Sequence, residues 1–142
     1  MSFRHESAGF LVNHMARLFA NALHARIRPL GLAPAQFMTL LELWEGDGIT
    51  QRDLVRRLDV EQATMANTLA RMERDGLIVR RASPSDARSQ TIHLTDKALA
   101  LREPAISAAM DVNAAALADL SDDDRARFLA MMREVIAALS AR

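Results

Sequence analysis

Apolar residues recur along most of the chain at helical spacing, interrupted by one short stretch that alternates. From Phe10 to Arg28, Leu11, Met15, Leu18, Ala22 and Ile27 form a stripe that Phe19 and Leu23 widen. Pro29 and Gly31 end it. The stripe is broader than one neighbour requires, which suggests a second partner such as another subunit. Pro34 suits the first turn of a second helix running to about Trp44, with Phe37, Leu40, Leu41 and Trp44 as its core positions. Glu45–Gly46–Asp47–Gly48 is a turn, and Ile49 is either a short strand or a buried anchor. Thr50, followed three residues later by Asp53, caps a short helix that buries Leu54, Val55 and Leu58. After a turn at Asp59–Val60, a longer helix spans about Glu61 to Asp75, with Met65, Leu69 and Met72 inward and Gly76 as its stop.

Beyond Gly76 the pattern becomes β-favouring. Leu77–Ile78–Val79 and Thr91–Ile92–His93–Leu94 read as two strands joined across Ser83–Pro84–Ser85–Asp86, a run of turn-forming residues. Thr95 and Asp96 cap a further helix to about Leu120. Pro104 inside it removes a backbone bond at a cost of about 3 kcal/mol, which predicts a kink or break near Glu103. Ser121–Asp122–Asp123–Asp124 is an N-cap followed by acids, and the last helix repeats Phe128, Met132, Val135, Ile136 and Leu139. Helix, turn, longer helix, strand, exposed tip and returning strand describe a winged helix-turn-helix. The expected fold is mainly α with a small β wing (α+β), winged helix-turn-helix plus a helical dimerisation layer. It is read as one domain over 1–142, with the winged lobe at 33–98 and the helical layer at 5–30 and 99–142.

Composition narrows this only a little. Half of the 142 residues are apolar, enough for a core without staples. There is no cysteine, so disulfides and thiolate metal ligands are excluded and a reducing cytoplasm is expected. No apolar run approaches the roughly 20 residues of a membrane span, and MSFRHESAGF lacks the apolar core of a signal peptide. Net charge is zero, but its distribution is uneven: Thr50–Thr91 holds eight arginines against six acids. Lys97 is the one lysine among 18 basic residues. Arginine suits bidentate contact with phosphates and base edges, although codon usage would produce the same bias.

The long helix carries the candidate chemistry. With Met65, Leu69 and Met72 inward, its opposite face presents Gln62, Ala63, Asn67, Arg71 and Arg74, flanked by Thr64 and Thr68. Asn and Gln pair with adenine, Arg with guanine, and Ala or a Thr methyl with the thymine methyl. Any solvated amphipathic helix has a polar outer face. The short helix before this one and the arginine-bearing hairpin after it favour the groove-binding reading. On the hairpin, Asp86 stands two residues before Arg88 and can orient it for a minor groove. Arg80, Arg81, Ser83, Ser89 and Gln90 are candidates for phosphates. His5, His14, His24 and His93 form no i, i+4 metal pair. No phosphate loop or nucleophile motif points to an enzyme, and no cofactor is expected. Asp119 to Asp124 reads as a helix cap, not a calcium loop. The competing class is a winged-helix module for protein–protein contact.

The combination of T50-Q51-x-x-L54, T64-M-A-N67-T-L69-x-R71-M-E73-x-x-G76-L77-I78, P84-S-D86-x-R88-S and I92-x-L94-T95 resembles the multiple antibiotic resistance regulator (MarR) family over about residues 33–100. The resemblance implies a homodimer that binds a pseudo-palindromic operator in double-stranded DNA, usually as a repressor. Its DNA affinity is often lowered by a small aromatic or phenolic anion between the helical layer and the lobe. Gln62, Ala63, Thr64, Asn67, Thr68 and Arg71 then fall on the recognition helix, Asp86 and Arg88 on the wing motif, and Thr50 and Gln51 join the DNA-facing set. His14, Arg17 and Arg80 are candidate partners for the anion. The glycine usual after the Leu-Thr of the second wing strand is absent, with Ala98 nearby. The cysteine of peroxide-sensing members is absent too, which excludes that mode of control.

Overall fold

Local capping chemistry sets the boundaries of the helices in the computed structural model, which describes residues 2–86 and 88–141. In order, the elements are α1 (Phe3–Glu6), α2 (Ala8–Ile27), a 3-10 turn (Arg28–Leu30), α3 (Pro34–Glu45), α4 (Gln51–Leu58), α5 (Gln62–Arg74), β1 (Ile78–Ala82), β2 (Gln90–Leu94), α6 (Asp96–Ala116) and α7 (Asp122–Ser140). Ser7 Oγ accepts the Phe10 N–H at 3.2 Å, so α2 starts two residues before the expected Phe10, with one extra turn of helix ahead of it.

At α4 the capping box is reciprocal. Thr50 Oγ1 accepts the Asp53 N–H at 3.1 Å and Asp53 Oδ2 accepts the Thr50 N–H at 3.0 Å. Helix α5 ends in a Schellman turn. Leu77 N–H donates to the Met72 carbonyl and Gly76 N–H to the Glu73 carbonyl, with Gly76 at φ +75°, a conformation that glycine adopts without a Cβ clash. Ser121 Oγ accepts the Asp124 N–H at 3.1 Å and starts α7.

Of the kink or break that Pro104 predicts near Glu103, the break does not occur: α6 runs continuously through Pro104. Pro104 and Ala100, the residue whose carbonyl loses its partner, are both exposed, so water can take the freed acceptor. The helix ends at Ala116, short of Leu120, in a turn where Arg125 Nε donates to the Leu117 carbonyl at 3.0 Å.

The chain divides into two compact units, Met1–Ala109 and Met110–Arg142, with the division inside α6. In the first, Met65, Leu69 and Met72 of α5 join Phe37, Leu40, Leu43, Leu54, Leu77, Ile78 and Ile92 in one core. Each such side chain contributes roughly 1.5–3 kcal/mol on burial. Leu41, Trp44, Val55 and Leu58 are partly buried against it. Trp44 lies edge-on to Phe37 and its indole N–H donates to the Ala98 carbonyl at 3.0 Å, which anchors α6 to α3. Strands β1 and β2 are antiparallel, with Arg80 opposite Ile92 and Arg81 opposite Thr91. Ile49 bridges Ile92, accepting its N–H at 2.8 Å, so this residue is both a strand fragment and an anchor.

The stripe expected on α2 is not a core stripe within its own unit. Only Ile27 is buried, while Leu11 and Leu18 are 47% and 56% exposed. In the second unit Val135, Ile136 and Leu139 of α7 are likewise exposed.

Candidate nucleic-acid interface

The buried triad on α5 decides which side chains the helix shows outward. Gln62, Ala63, Thr64, Asn67, Arg71 and Arg74 are all exposed, as their spacing predicts. Thr68 corrects the expectation. It is buried at 9% exposure, and its hydroxyl donates to the Thr64 carbonyl at 3.0 Å. At about 100° per residue its position lies about 40° beyond Met72, at the edge of the face that Met65, Leu69 and Met72 make, so it borders the core. Gln62 Oε1 accepts from Gln51 Nε2 at 3.3 Å, which links the start of α5 to the start of α4.

The wing and α4 enclose an open groove of about 460 Å³ lined by Thr50, Gln51, Arg52, Arg80, Arg88, Ser89 and Gln90. Six of these were expected from the sequence; Arg52 was not. Its signal was available, because with Leu54, Val55 and Leu58 inward, Arg52 falls on the solvent side of α4. Thr50 has a second duty as the N-cap of that helix. Arg80 is half-buried, and its Nε lies 3.5 Å from Glu73 Oε1, so part of its charge is already answered from α5. The pleat puts Arg81 on the other face of β1, exposed, with its carbonyl accepting from Thr91 Oγ1 at 3.4 Å.

At the wing tip Asp86 orders Arg88 through the backbone and not through its guanidinium. Asp86 Oδ1 accepts the backbone N–H of Arg88 at 3.0 Å, and the Asp86 carbonyl accepts the Ser89 N–H at 3.0 Å. A short carboxylate reaches the N–H two residues on more readily than a long side chain folds back to it. The acid therefore shapes the turn and leaves the exposed Arg88 side chain to solvent. Ser83 closes the hairpin through its N–H to the Ser89 carbonyl at 2.9 Å, with its hydroxyl 3.2 Å from that of Ser85.

Two carboxylates hold this scaffold and are kept ionised by it. The Thr50 backbone N–H, then its hydroxyl, hold Asp53 below the usual carboxylate range. The Arg74 guanidinium, then the Gln36 amide, do the same for Asp75, while Asp75 raises Arg74 in return. Of the candidate partners for a small anion, Arg80 lines the wing groove while His14 and Arg17 lie on α2. His14 lies edge-on to Phe10, its ring centroid 6.3 Å away, and Arg17 is exposed; both are on α2, and neither lines the groove that holds Arg80. An apolar cavity of about 160 Å³ lies under α5 instead, between Met38, Leu58, Val60 and Met65. Among the described residues no group of three His, Cys, Asp or Glu side chains suits a metal ion, and no helix is long and apolar enough to cross a membrane.

Exposed amides, hydroxyls and guanidinium groups on α5, α4 and the wing thus form one polar face suited to phosphates and base edges. The profile of the MarR family matches residues 30–89, the stretch that contains most of this face. An organic hydroperoxide resistance transcriptional regulator of Bacillus subtilis is 32% identical over 97 residues, covering 68% of this chain and 66% of its own. YwoH, an uncharacterised HTH-type transcriptional regulator of the same organism, is 30% identical over 122 residues, covering 86% and 88%. A crystal structure of a MarR family transcriptional regulator from Listeria monocytogenes complexed with 26mer DNA has a TM-score of 0.84, covering 92% of this chain and 87% of that one. At 22% identity that last likeness speaks for the fold.

Proposed function

The chain belongs to the MarR family of DNA-binding transcriptional regulators and is not an enzyme, and from that premise we propose that it is a ligand-responsive repressor that binds a pseudo-palindromic operator as a homodimer in the cytoplasm. One observation carries the reading: the polar face of α5 stands beside a groove bearing three arginines, in a chain whose net charge is zero. Helix α5 enters the major groove with Gln62, Ala63, Thr64 and Asn67 toward base edges. The wing brings Arg88 to the adjacent minor groove, and Arg52, Arg80, Arg81, Ser89 and Gln90 hold phosphates. The exposed apolar residues on α2 and on α7 support a partner of the same chain. Such a pair would space its two recognition helices about 34 Å apart, one turn of B-form DNA. Control by a small aromatic or phenolic anion belongs to the same reading and is supported by the family resemblance.

Selection of bound duplexes from a random pool, followed by titration at several salt concentrations, tests this reading. A recovered motif with two related half-sites, bound by a dimer whose affinity falls steeply with salt, is the expected result. Repeating the titration with small aromatic acids tests the ligand response. A chain with no duplex affinity would leave the winged helix as a protein-binding module and end the proposal.

A further inference from the structure

We propose that the basin where α2 ends against α3 and α5 is a second binding station for the DNA backbone phosphate, on the flank of α5 opposite the wing. The inference rests on the DNA-binding reading above. The basin measures about 470 Å³, and its charged and polar walls include His24, Arg28, Gln36, Arg71, Arg74 and Asp75. Its one carboxylate is spent. Asp75 Oδ1 accepts Arg74 Nε at 3.0 Å and Oδ2 accepts Gln36 Nε2 at 3.1 Å. Gln36 is itself buried, and its Oε1 accepts the Ala33 N–H at 3.1 Å, so the clasp is fixed at both ends. Among the described residues neither Arg28 nor Arg71 has a carboxylate partner. Three arginines against one aspartate leave the basin with two positive charges in excess from these four residues.

Helix geometry puts this charge on the side away from the wing. Glu73 faces the wing, where it meets Arg80. Arg71 precedes it by two residues, about 200° around a helix of 3.6 residues per turn. The recognition helix is therefore bracketed by cations: Arg52, Arg80 and Arg88 on one flank, Arg28 and Arg71 on the other. A helix lying in a major groove has a phosphate strand on each side. The basin is wide-mouthed, which suits a phosphodiester on a duplex surface better than an enclosed small molecule. Sequence spacing alone assigned Arg71 to a base edge; the basin assigns it to the backbone.

The test compares the full-length wild type with Arg28→Ala, Arg28→Lys and Arg71→Gln on a duplex selected from the random pool. Arg71→Gln alters an exposed helical position, so it keeps the test informative if Arg28→Ala disturbs the turn after α2. For two subunits, each alanine or glutamine variant should flatten the slope of log affinity against log salt by about 1.8, twice the 0.9 of one phosphate contact. Arg28→Lys should restore the slope, and the selected sequence should not change. An unchanged slope in both Arg28→Ala and Arg71→Gln, with wild-type binding intact, overturns the basin and leaves the DNA-binding reading standing. A shifted base preference overturns it as well. If inorganic phosphate displaces DNA from wild type but not from Arg28→Ala while the slopes agree, the basin holds a free anion and the proposal fails. A wild type that binds no duplex sinks the wider reading.

Discussion

Glu73→Gln should tighten operator binding, because Glu73 competes with the DNA for Arg80. The two groups are 3.5 Å apart, with the arginine side chain 22% and the carboxylate 50% exposed. At the dielectric of water their attraction is about 1.2 kcal/mol, and exposed pairs typically retain about 0.2–1 kcal/mol after side-chain entropy. Taking about 0.5 kcal/mol per lobe, two lobes recover about 1 kcal/mol, a gain of roughly fivefold in affinity. The fold should not suffer. Glu73 sits in the last turn of α5, where a negative charge opposes the helix dipole, so neutralising it is neutral or slightly stabilising. Fluorescence anisotropy with a labelled operator duplex measures the change. The gain should shrink at high salt, since both the pair and the phosphate contact are screened. Equal or weaker binding by the variant at low salt would refute the reasoning: Glu73 would then be holding Arg80 in its productive orientation, or Arg80 would not reach the backbone.

Arg88→Ala should weaken operator binding by about 1–3 kcal/mol through loss of a minor-groove or phosphate contact; unchanged affinity in the same assay would remove the wing tip from the interface. Asn67→Ala should change the preferred base at one position per half-site as well as the strength, and repeating the pool selection would reveal it; a loss uniform across sequences would confine Asn67 to the backbone. Asp53 and Asp75 are held below their ordinary value of 3.8, so the stability they contribute is fully present above about pH 5 and is lost as pH falls through 3.8 toward their lower folded values. Thermal melts should therefore show a falling midpoint below about pH 4, with a smaller fall in Asp53→Asn; equal falls would take the α4 cap out of the account. Ile136→Asp alters a residue 60% exposed on its own chain, so the monomer fold should change by no more than about 0.5 kcal/mol. Sedimentation should nevertheless find monomers with much weaker operator binding, whereas a dimer at wild-type affinity would place the subunit contact elsewhere.

The elements were legible because their causes are local. A three-residue spacing makes the Thr50–Asp53 capping box, one glycine with positive φ makes the end of α5, and 3.6-residue periodicity turns Met65, Leu69 and Met72 inward. The pairing register was not legible, because residues 83–89 separate the two strands and their spacing alone leaves the register open. The polar outer face of α5 followed from the same period. Errors arose where a single residue has two plausible roles. Thr68 reads as a polar flank, yet a threonine that donates to the carbonyl four residues back can be buried at little cost. Pro104 reads as a kink or a break, yet the helix does not break there, because an exposed carbonyl can be left to water.

Sequence by itself determined the order of the longer helices and the strands, the caps at Thr50 and Ser121, the winged helix-turn-helix and which side of α5 faces outward, because each depends on residues within a few positions of one another; the Ser7 cap and the short α1 were not read. Only the tertiary structure decided which cations stand together. Arg52 meets Arg80 and Arg88 across the wing groove, and Gln36 meets Asp75 over a separation of 39 residues to close the wall beneath Arg28 and Arg71. Charge acts through space, and no periodicity records the distance between two guanidinium groups on different elements until the core has packed and brought those elements together.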